Sequence, residues 1–189
     1  MNQQNSETVD RILAVFESKG DSEYGGEAVT QLEHALQTAL LAETAGASSQ
    51  LISACLLHDF GHLVHDLPDD APEHGIDDRH ETTGKNYLTK HFPPAVTEPI
   101  HLHVEAKRYL CTVDESYFGL LSEPSVISLN LQGGKMTKDE IEQFESNEFH
   151  TDAVRLRRWD DQAKIPELPT PELEHFKRHL LAAVDTSFE

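Results

Sequence analysis

Cysteine is scarce in this 189-residue chain: Cys55 and Cys111 are the only two, too few for a disulfide framework. A reducing cytoplasm is the expected location. Cations are also scarce, with 15 Lys+Arg against 34 Asp+Glu and a formal net charge of −19. A binder of nucleic-acid phosphates or of an anionic membrane needs a basic surface, so neither partner is expected. No apolar run approaches the ~20 residues of a membrane-spanning helix. The opening MNQQNSETVD lacks the basic and apolar regions of a signal peptide. Strand-like alternation, internal repeats and low-complexity segments are missing as well. What the chain does have is 12 His among many carboxylates, a donor palette suited to iron, manganese or zinc.

Helical spacing dominates the pattern. Val9, Ile12, Leu13, Val15 and Phe16 share a helical period, with Gly20 as a stop. Residues 21–29 contain Gly25-Gly26 and read as a mobile loop. Thr30-Gln31-Leu32-Glu33 is a capping box for a helix reaching about Ala45, with Gly46 past its end. The next helix begins near Ser48 or Ser49. Its stretch Leu51–Leu57 is apolar nearly all round, which predicts a central, buried helix leading into His58-Asp59-Phe60-Gly61-His62. Residues 63–78 read as an acidic loop. Further helices are expected from about Asp78 to Pro93-Pro94, from about Pro99 to Leu110, and from Ser122-Glu-Pro124 to Gln132-Gly133-Gly134. Thr137 to Glu140 forms a second capping box, and Thr151 is the expected cap of a helix holding Arg157, Trp159 and Asp160. Pro166–Pro171 then leads to a last amphipathic helix ending near Val184. The expected fold class is all-α, one domain over residues 1–189 with a core at about 24–161 and a C-terminal helix at about 171–184.

Within that frame a His/Asp series stands out: His34, His58-Asp59, His80, His103 and Asp160. Adjacent His58 and Asp59 offer a nitrogen and a carboxylate to one metal, and the second carboxylate oxygen of Asp59 is free to bridge to another. A mononuclear hydrolytic site needs only His34, His58, Asp59 and Asp160. His80 and His103 add nitrogens for a second metal. Lys107 lies one helical turn after His103, and Arg157 shares a face with Asp160, so both bring positive charge toward the ligands. His62 is expected beside the metals without ligating them. His65, His74, His91, His101, His150, His175 and His179 are expected in ordinary surface or structural roles.

The segments YGGE (24–27), QLEH (31–34), HDFGH (58–62), His80, HVEAKRYL (103–110), QGG-K-M (132–136) and RRWD (157–160) together resemble the HD-domain mixed-valent diiron oxygenases, most closely the phosphonate-cleaving PhnZ type. Myo-inositol oxygenase shares the ligand order on a longer chain. The resemblance implies a helical HD-domain bundle and two irons, Fe(II)/Fe(III), with O2 as co-substrate. His34, His58, Asp59 and Asp160 would hold one iron. Asp59, His80 and His103 would hold the other. Lys107, Ser125, Gln132 and Arg157 would surround the phosphonate. Tyr24, Glu27 and His62 would serve catalysis and substrate binding, with Tyr24 in a substrate-sensing loop and Glu27 facing a substrate amine.

The reaction implied by the resemblance is oxidative. O2 removes hydrogen from C1 of a 1-hydroxyphosphonate, and C–P cleavage gives phosphate and a carboxylic acid, with all four electrons supplied by the substrate. A 1-hydroxy-2-aminoethylphosphonate with a free or trimethylated amine, giving glycine or glycine betaine, is the leading expectation; hydroxymethylphosphonate stays open. A separate hydroxylase would supply the substrate. Two other readings compete. One is an HD phosphohydrolase, against whose mononuclear form His80 and His103 argue. The other is a non-catalytic metal-dependent module, against which Lys107 and Arg157 argue.

Overall fold

The computed structural model describes residues 3–64 and 78–184. Most of the acidic 63–78 segment, with His65 and His74, lies outside the described residues. Ten α-helices carry the described chain: α1 Gln3–Lys19, α2 Gln31–Thr44, α3 Ser49–Leu57, α4 Phe60–Val64, α5 His80–Leu88, α6 Pro94–Val113, α7 Glu123–Leu131, α8 Lys138–Ser146, α9 His150–Asp160 and α10 Leu173–Ala183. Among the described residues there is no strand, only an isolated antiparallel bridge between Glu23 and Thr30 that closes the base of the Gly-Gly loop. The fold is the expected all-α class.

The central helix is α3. Leu51 through Leu57 are all buried, and α3 packs against α2, α6, α9 and α10. Burying each such Leu or Ile is worth roughly 1.5–3 kcal/mol, so this helix ties the others to one core. Both capping boxes form as expected. Glu33 N–H donates to Thr30 Oγ1 at 3.1 Å while Thr30 N–H donates to Glu33 Oε2 at 2.8 Å, and Thr137 and Glu140 repeat the pattern. The last helix lays Leu173, Phe176, Leu180 and Ala183 into the main core, against α3 and α1.

Three boundaries differ from expectation. The long helix starts at Pro94, not near Pro99. Pro93 precedes it and Pro94 occupies the first turn, where a missing N–H costs nothing; Pro99 is buried inside the helix. The Trp159 helix starts at His150, so Thr151 does not cap it. Asn147 shapes that start instead, its side chain accepting from Phe149 N–H at 2.9 Å and its carbonyl from His150 N–H at 3.1 Å. Finally, α3 stops at Leu57, and the chain turns through His58 and Asp59 into the short α4. That turn aims both side chains away from the core and toward α2, α5, α6 and α9.

Candidate metal centre and substrate cleft

Five elements deliver the His/Asp series to one place. His34 comes from α2, His58 and Asp59 from the turn after α3, His80 from the first position of α5, His103 from α6 and Asp160 from the last position of α9. All six are buried.

Each histidine is oriented through its Nδ1. His34 Nδ1 bonds the carbonyl of Ala163 at 2.8 Å, His58 that of Cys55 at 2.9 Å and His103 that of Ile100 at 2.6 Å. His80 Nδ1 bonds Asp78 Oδ1 at 2.8 Å. An acceptor at Nδ1 requires the proton there, so each neutral ring turns the lone pair of Nε2 inward. These lone pairs meet head-on: His34 Nε2 is 3.1 Å from His58 Nε2, and His80 Nε2 is 3.1 Å from His103 Nε2. Two lone pairs at that distance repel unless a cation lies between them and the nearby carboxylates.

The carboxylate is placed for that cation twice over. Asp59 Oδ2 lies 3.1 Å from His58 Nε2 and 3.6 Å from His34 Nε2. Asp59 Oδ1 lies 3.3 Å from His80 Nε2 and 3.4 Å from His103 Nε2. Asp160 Oδ1 adds to the first group at 3.4 Å from His34 Nε2. Asp59 Oδ1 and Asp160 Oδ1 are buried with no hydrogen-bond partner among the described residues, a costly arrangement unless a cation takes them. Burial alone would raise the Asp59 carboxyl, but His58, His103 and His80 outweigh it and hold the group well below the usual carboxylate range. Burial would likewise raise Asp160, and Arg157 and His34 reverse the direction. The donors thus form two groups, His34/His58/Asp59 and Asp59/His80/His103, sharing one carboxylate. This is a metal site, and its donor set fits a pair of ions bridged by Asp59.

Beside the metal groups lies a cleft of about 130 Å³. Lys107, one turn beyond His103, is buried and donates from Nζ to Ser128 Oγ at 2.8 Å. Burial, with Arg157 nearby, pushes its ammonium down to about 7. Ser125, Ser128 and Gln132 line the cleft from α7 and its end, and the Gln132 Oε1 atom is buried with no hydrogen-bond partner among the described residues. Arg157 also lines the cleft, paired with Asp160 as their shared helix face predicts, and its fork is fully engaged. Nη1 lies 2.8 Å from Asp160 Oδ2, while Nη2 and Nε donate to Asp161. What Arg157 presents to the cleft is positive charge held rigidly, with the bidentate edge taken. Tyr24 stacks on His34 with ring centroids 3.8 Å apart. Burial, then Asp160 and Asp59, raise its phenol well above the usual value, so it is protonated. His62 stacks on His80 at 4.1 Å, with its Nε2 at 4.0 Å from Asp59 Oδ1. With Asp78 and His80 it makes a third cluster of donor side chains at this end of the cleft. Glu27 lines the cleft, and its Oε1 is already engaged: Lys164 Nζ donates to it at 2.9 Å, and Ser122 Oγ donates to the same oxygen.

Sequence reasoning missed Asp78, Ser128 and Lys164. Asp78 holds His80 through Oδ1 and His62 Nδ1 through Oδ2 at 2.9 Å. Its only sequence signal was an acid two residues before a ligand histidine. Ser128 carried a stronger signal, three residues from Ser125 on one helix face. Lys164 carried none. Away from the site, His175 and His179 both bond Glu43, pinning α10 to α2.

Comparison with known proteins agrees with this geometry. The HD domain family matches residues 32–125. Hydroxymethylphosphonate dioxygenase of Gimesia maris is 47% identical over 182 residues, 96% of this chain and 90% of that protein. The [1-hydroxy-2-(trimethylamino)ethyl]phosphonate dioxygenase (glycine-betaine-forming) of Leisingera caerulea is 38% identical over 177 residues, 94% of this chain and 90% of that protein. With two bridged His/Asp groups at the end of its central helix and relatives of this similarity over nearly its whole length, the chain belongs to the HD-domain phosphonate dioxygenases of the PhnZ type.

Proposed function

We propose that this chain is an iron-dependent dioxygenase that cleaves the C–P bond of a short 1-hydroxyphosphonate with O2, releasing inorganic phosphate and a carboxylic acid. The substrate class spans 1-hydroxy-2-aminoethylphosphonate with a free or trimethylated amine, giving glycine or glycine betaine, and hydroxymethylphosphonate. The two relatives described above carry names from within this class. The observation that carries the reading is the pair of facing Nε2 couples joined through one carboxylate, because a hydrolytic site built on one metal has no use for the second couple.

The two metals are proposed to be iron in the Fe(II)/Fe(III) state, held by His34, His58, Asp59 and Asp160 and by Asp59, His80 and His103. When bound, the pair supplies the redox chemistry toward O2. Everything else falls to the chain. The carbonyls of Ala163, Cys55 and Ile100 and the Asp78 carboxylate lock each imidazole in the tautomer that presents Nε2. Lys107 and Arg157 reverse the sign of an acidic protein locally, so that a phosphonate dianion is attracted to the cleft. Ser125, Ser128 and Gln132 offer hydrogen bonds to its oxygens. Tyr24, lying flat on His34, limits water access from the loop side. His62, neutral because burial and His80 lower its pKa, is placed to accept or return a proton near the bridging Asp59. The enzyme is proposed to act in the cytoplasm, downstream of a hydroxylase that installs the 1-hydroxyl, without nucleic-acid or membrane partners.

The test is stoichiometry. One O2 should be consumed per phosphate released, with label from O2 appearing in the carboxylate product and two irons per chain by metal analysis. Phosphate release in the absence of O2 with Mg2+ or Mn2+ alone would replace this reading with hydrolysis.

A further inference from the structure

Glu27 is an acid lining a cleft that attracts anions, and the chain has already given it a cation. Lys164 Nζ lies 2.9 Å from Glu27 Oε1, 2.9 Å from Ser125 Oγ and 3.3 Å from Ser122 Oγ. It also lies 5.7 Å from the centroid of the Tyr24 ring. Both partners are largely shielded, with side-chain exposures of 13% and 15%. Among the described residues Lys164 is the one cation within ion-pair distance of Glu27.

This lysine is not a surface side chain that wandered in. The backbone on each side of it is pinned to the helix that carries His34. Ala163 O receives His34 Nδ1 at 2.8 Å, Ile165 O receives Gln37 Nε2 at 2.8 Å, and Ile165 N–H donates to Gln37 Oε1 at 3.1 Å. The same backbone that orients a ligand histidine therefore fixes where the ammonium emerges. Its position lies between the phosphonate wall, through Ser125, and the acid at the loop, through Glu27.

Resting on the function proposed above, we infer that Lys164 is a specificity-determining residue: it occupies the cation position opposite Glu27, so the site selects a 1-hydroxyphosphonate that carries no cationic substituent. A substrate ammonium reaching Glu27 has to displace Lys164 or sit beside it. Displacement leaves a shielded lysine without its carboxylate, and coexistence sets like charges together in a place screened from water. An amine-free substrate pays neither penalty. It also gains a third positive group near its phosphonate, because Lys164 already reaches Ser125.

The experiment compares kcat/KM for hydroxymethylphosphonate, 2-amino-1-hydroxyethylphosphonate and the N-trimethyl analogue, in wild type, Lys164→Met, Lys164→Gln and Lys164→Arg, each as iron-loaded protein. Wild type should prefer hydroxymethylphosphonate. The ratio of amine-free to cationic turnover should fall at least tenfold in Lys164→Met and in Lys164→Gln, and Lys164→Arg should hold it. Two different neutral variants guard against a folding defect in one, and a general loss of activity cancels in the ratio. A wild-type preference for either cationic substrate, or a ratio unchanged in both neutral variants while phosphate release persists, overturns the role of Lys164 alone. No O2-dependent phosphate from any of the three compounds in wild type overturns the functional reading and this inference with it.

Discussion

Gly61 lies against the backbone of His80 so closely that a Cβ on the glycine would stand 2.0 Å from the His80 carbonyl oxygen and 2.7 Å from its carbonyl carbon. The glycine of HDFGH is therefore what lets the start of α5 approach the turn carrying Asp59. Gly84, one turn along α5, continues the close contact, since its own Cβ would come 3.3 Å from Gly61 N.

Gly61→Ala should separate the two halves of the metal centre. The obstructing atoms are backbone, so no side-chain rotation relieves them, and overpacking of this kind costs about 1–3 kcal/mol. Metal analysis should find the occupancy of the His80/His103 group reduced while the His34/His58 group still binds. Two tightly held irons and full turnover in this variant would contradict the argument.

Asp78→Asn should weaken the same half by a different route. An amide in place of the carboxylate no longer fixes the Nδ1 protons of both His62 and His80. Loss of such an outer carboxylate typically lowers metal affinity 10–100-fold. Titration of apo protein with Fe(II) should show one site weakened by about that factor and the other unchanged.

Lys107 should govern phosphonate affinity and its pH dependence. A hydrogen bond to a charged group contributes about 1.5–3 kcal/mol, so Lys107→Met should raise KM by ten-fold or more with a smaller change in kcat. The ammonium of the free enzyme is lowered to about 7 by burial and by Arg157. It is protonated below that pH and neutral above it, so affinity for the dianion should weaken as pH rises through 7. Lys107→Arg keeps its charge throughout and should flatten that part of the profile.

Glu43→Gln should loosen α10. Burial would raise the Glu43 carboxyl, but hydrogen bonds from His175, Arg178 and His179 outweigh it and lower the group from 4.5 to about 2. The sign follows directly: the fold favours the ionised acid, so its contribution is complete above pH 4.5 and is lost as pH falls toward 2. Solvent screening at this surface cluster limits the effect to about 1 kcal/mol. Urea unfolding should show that difference between wild type and Glu43→Gln at pH 7 and a narrowing gap from pH 4.5 downward.

Much of this architecture is legible in the sequence. Thr30 with Glu33 and Thr137 with Glu140 are local signals, complete within four residues, and both boxes form where expected. The apolar Leu51–Leu57 stretch predicted a buried helix because no face of it suits water. Pro99 misled the reading of α6: a proline usually marks a helix start, and here a second start signal, Pro94, lay one turn and a half earlier. Thr151 misled in the same way, because α9 starts at His150 without a side-chain cap, after a turn that Asn147 shapes.

Local chemistry in the sequence was enough to determine the helices, the central position of α3 and the His/Asp series, since helix caps, apolar faces and ligand residue types are properties of a residue and its near neighbours. Tertiary structure alone decided how those donors meet. Nothing in the sequence says that Nε2 of His34 faces Nε2 of His58 while His80 faces His103, because those pairs depend on where carbonyls of Ala163, Cys55 and Ile100 arrive. Nor does it say that Arg157 spends its fork on Asp161, or that Lys164 crosses 137 residues of chain to reach Glu27. Ion pairs and tautomers of this kind are set by distances of a few tenths of an ångström between elements far apart in the chain, and only the packing of α2, α6, α9 and α10 around α3 fixes distances that finely.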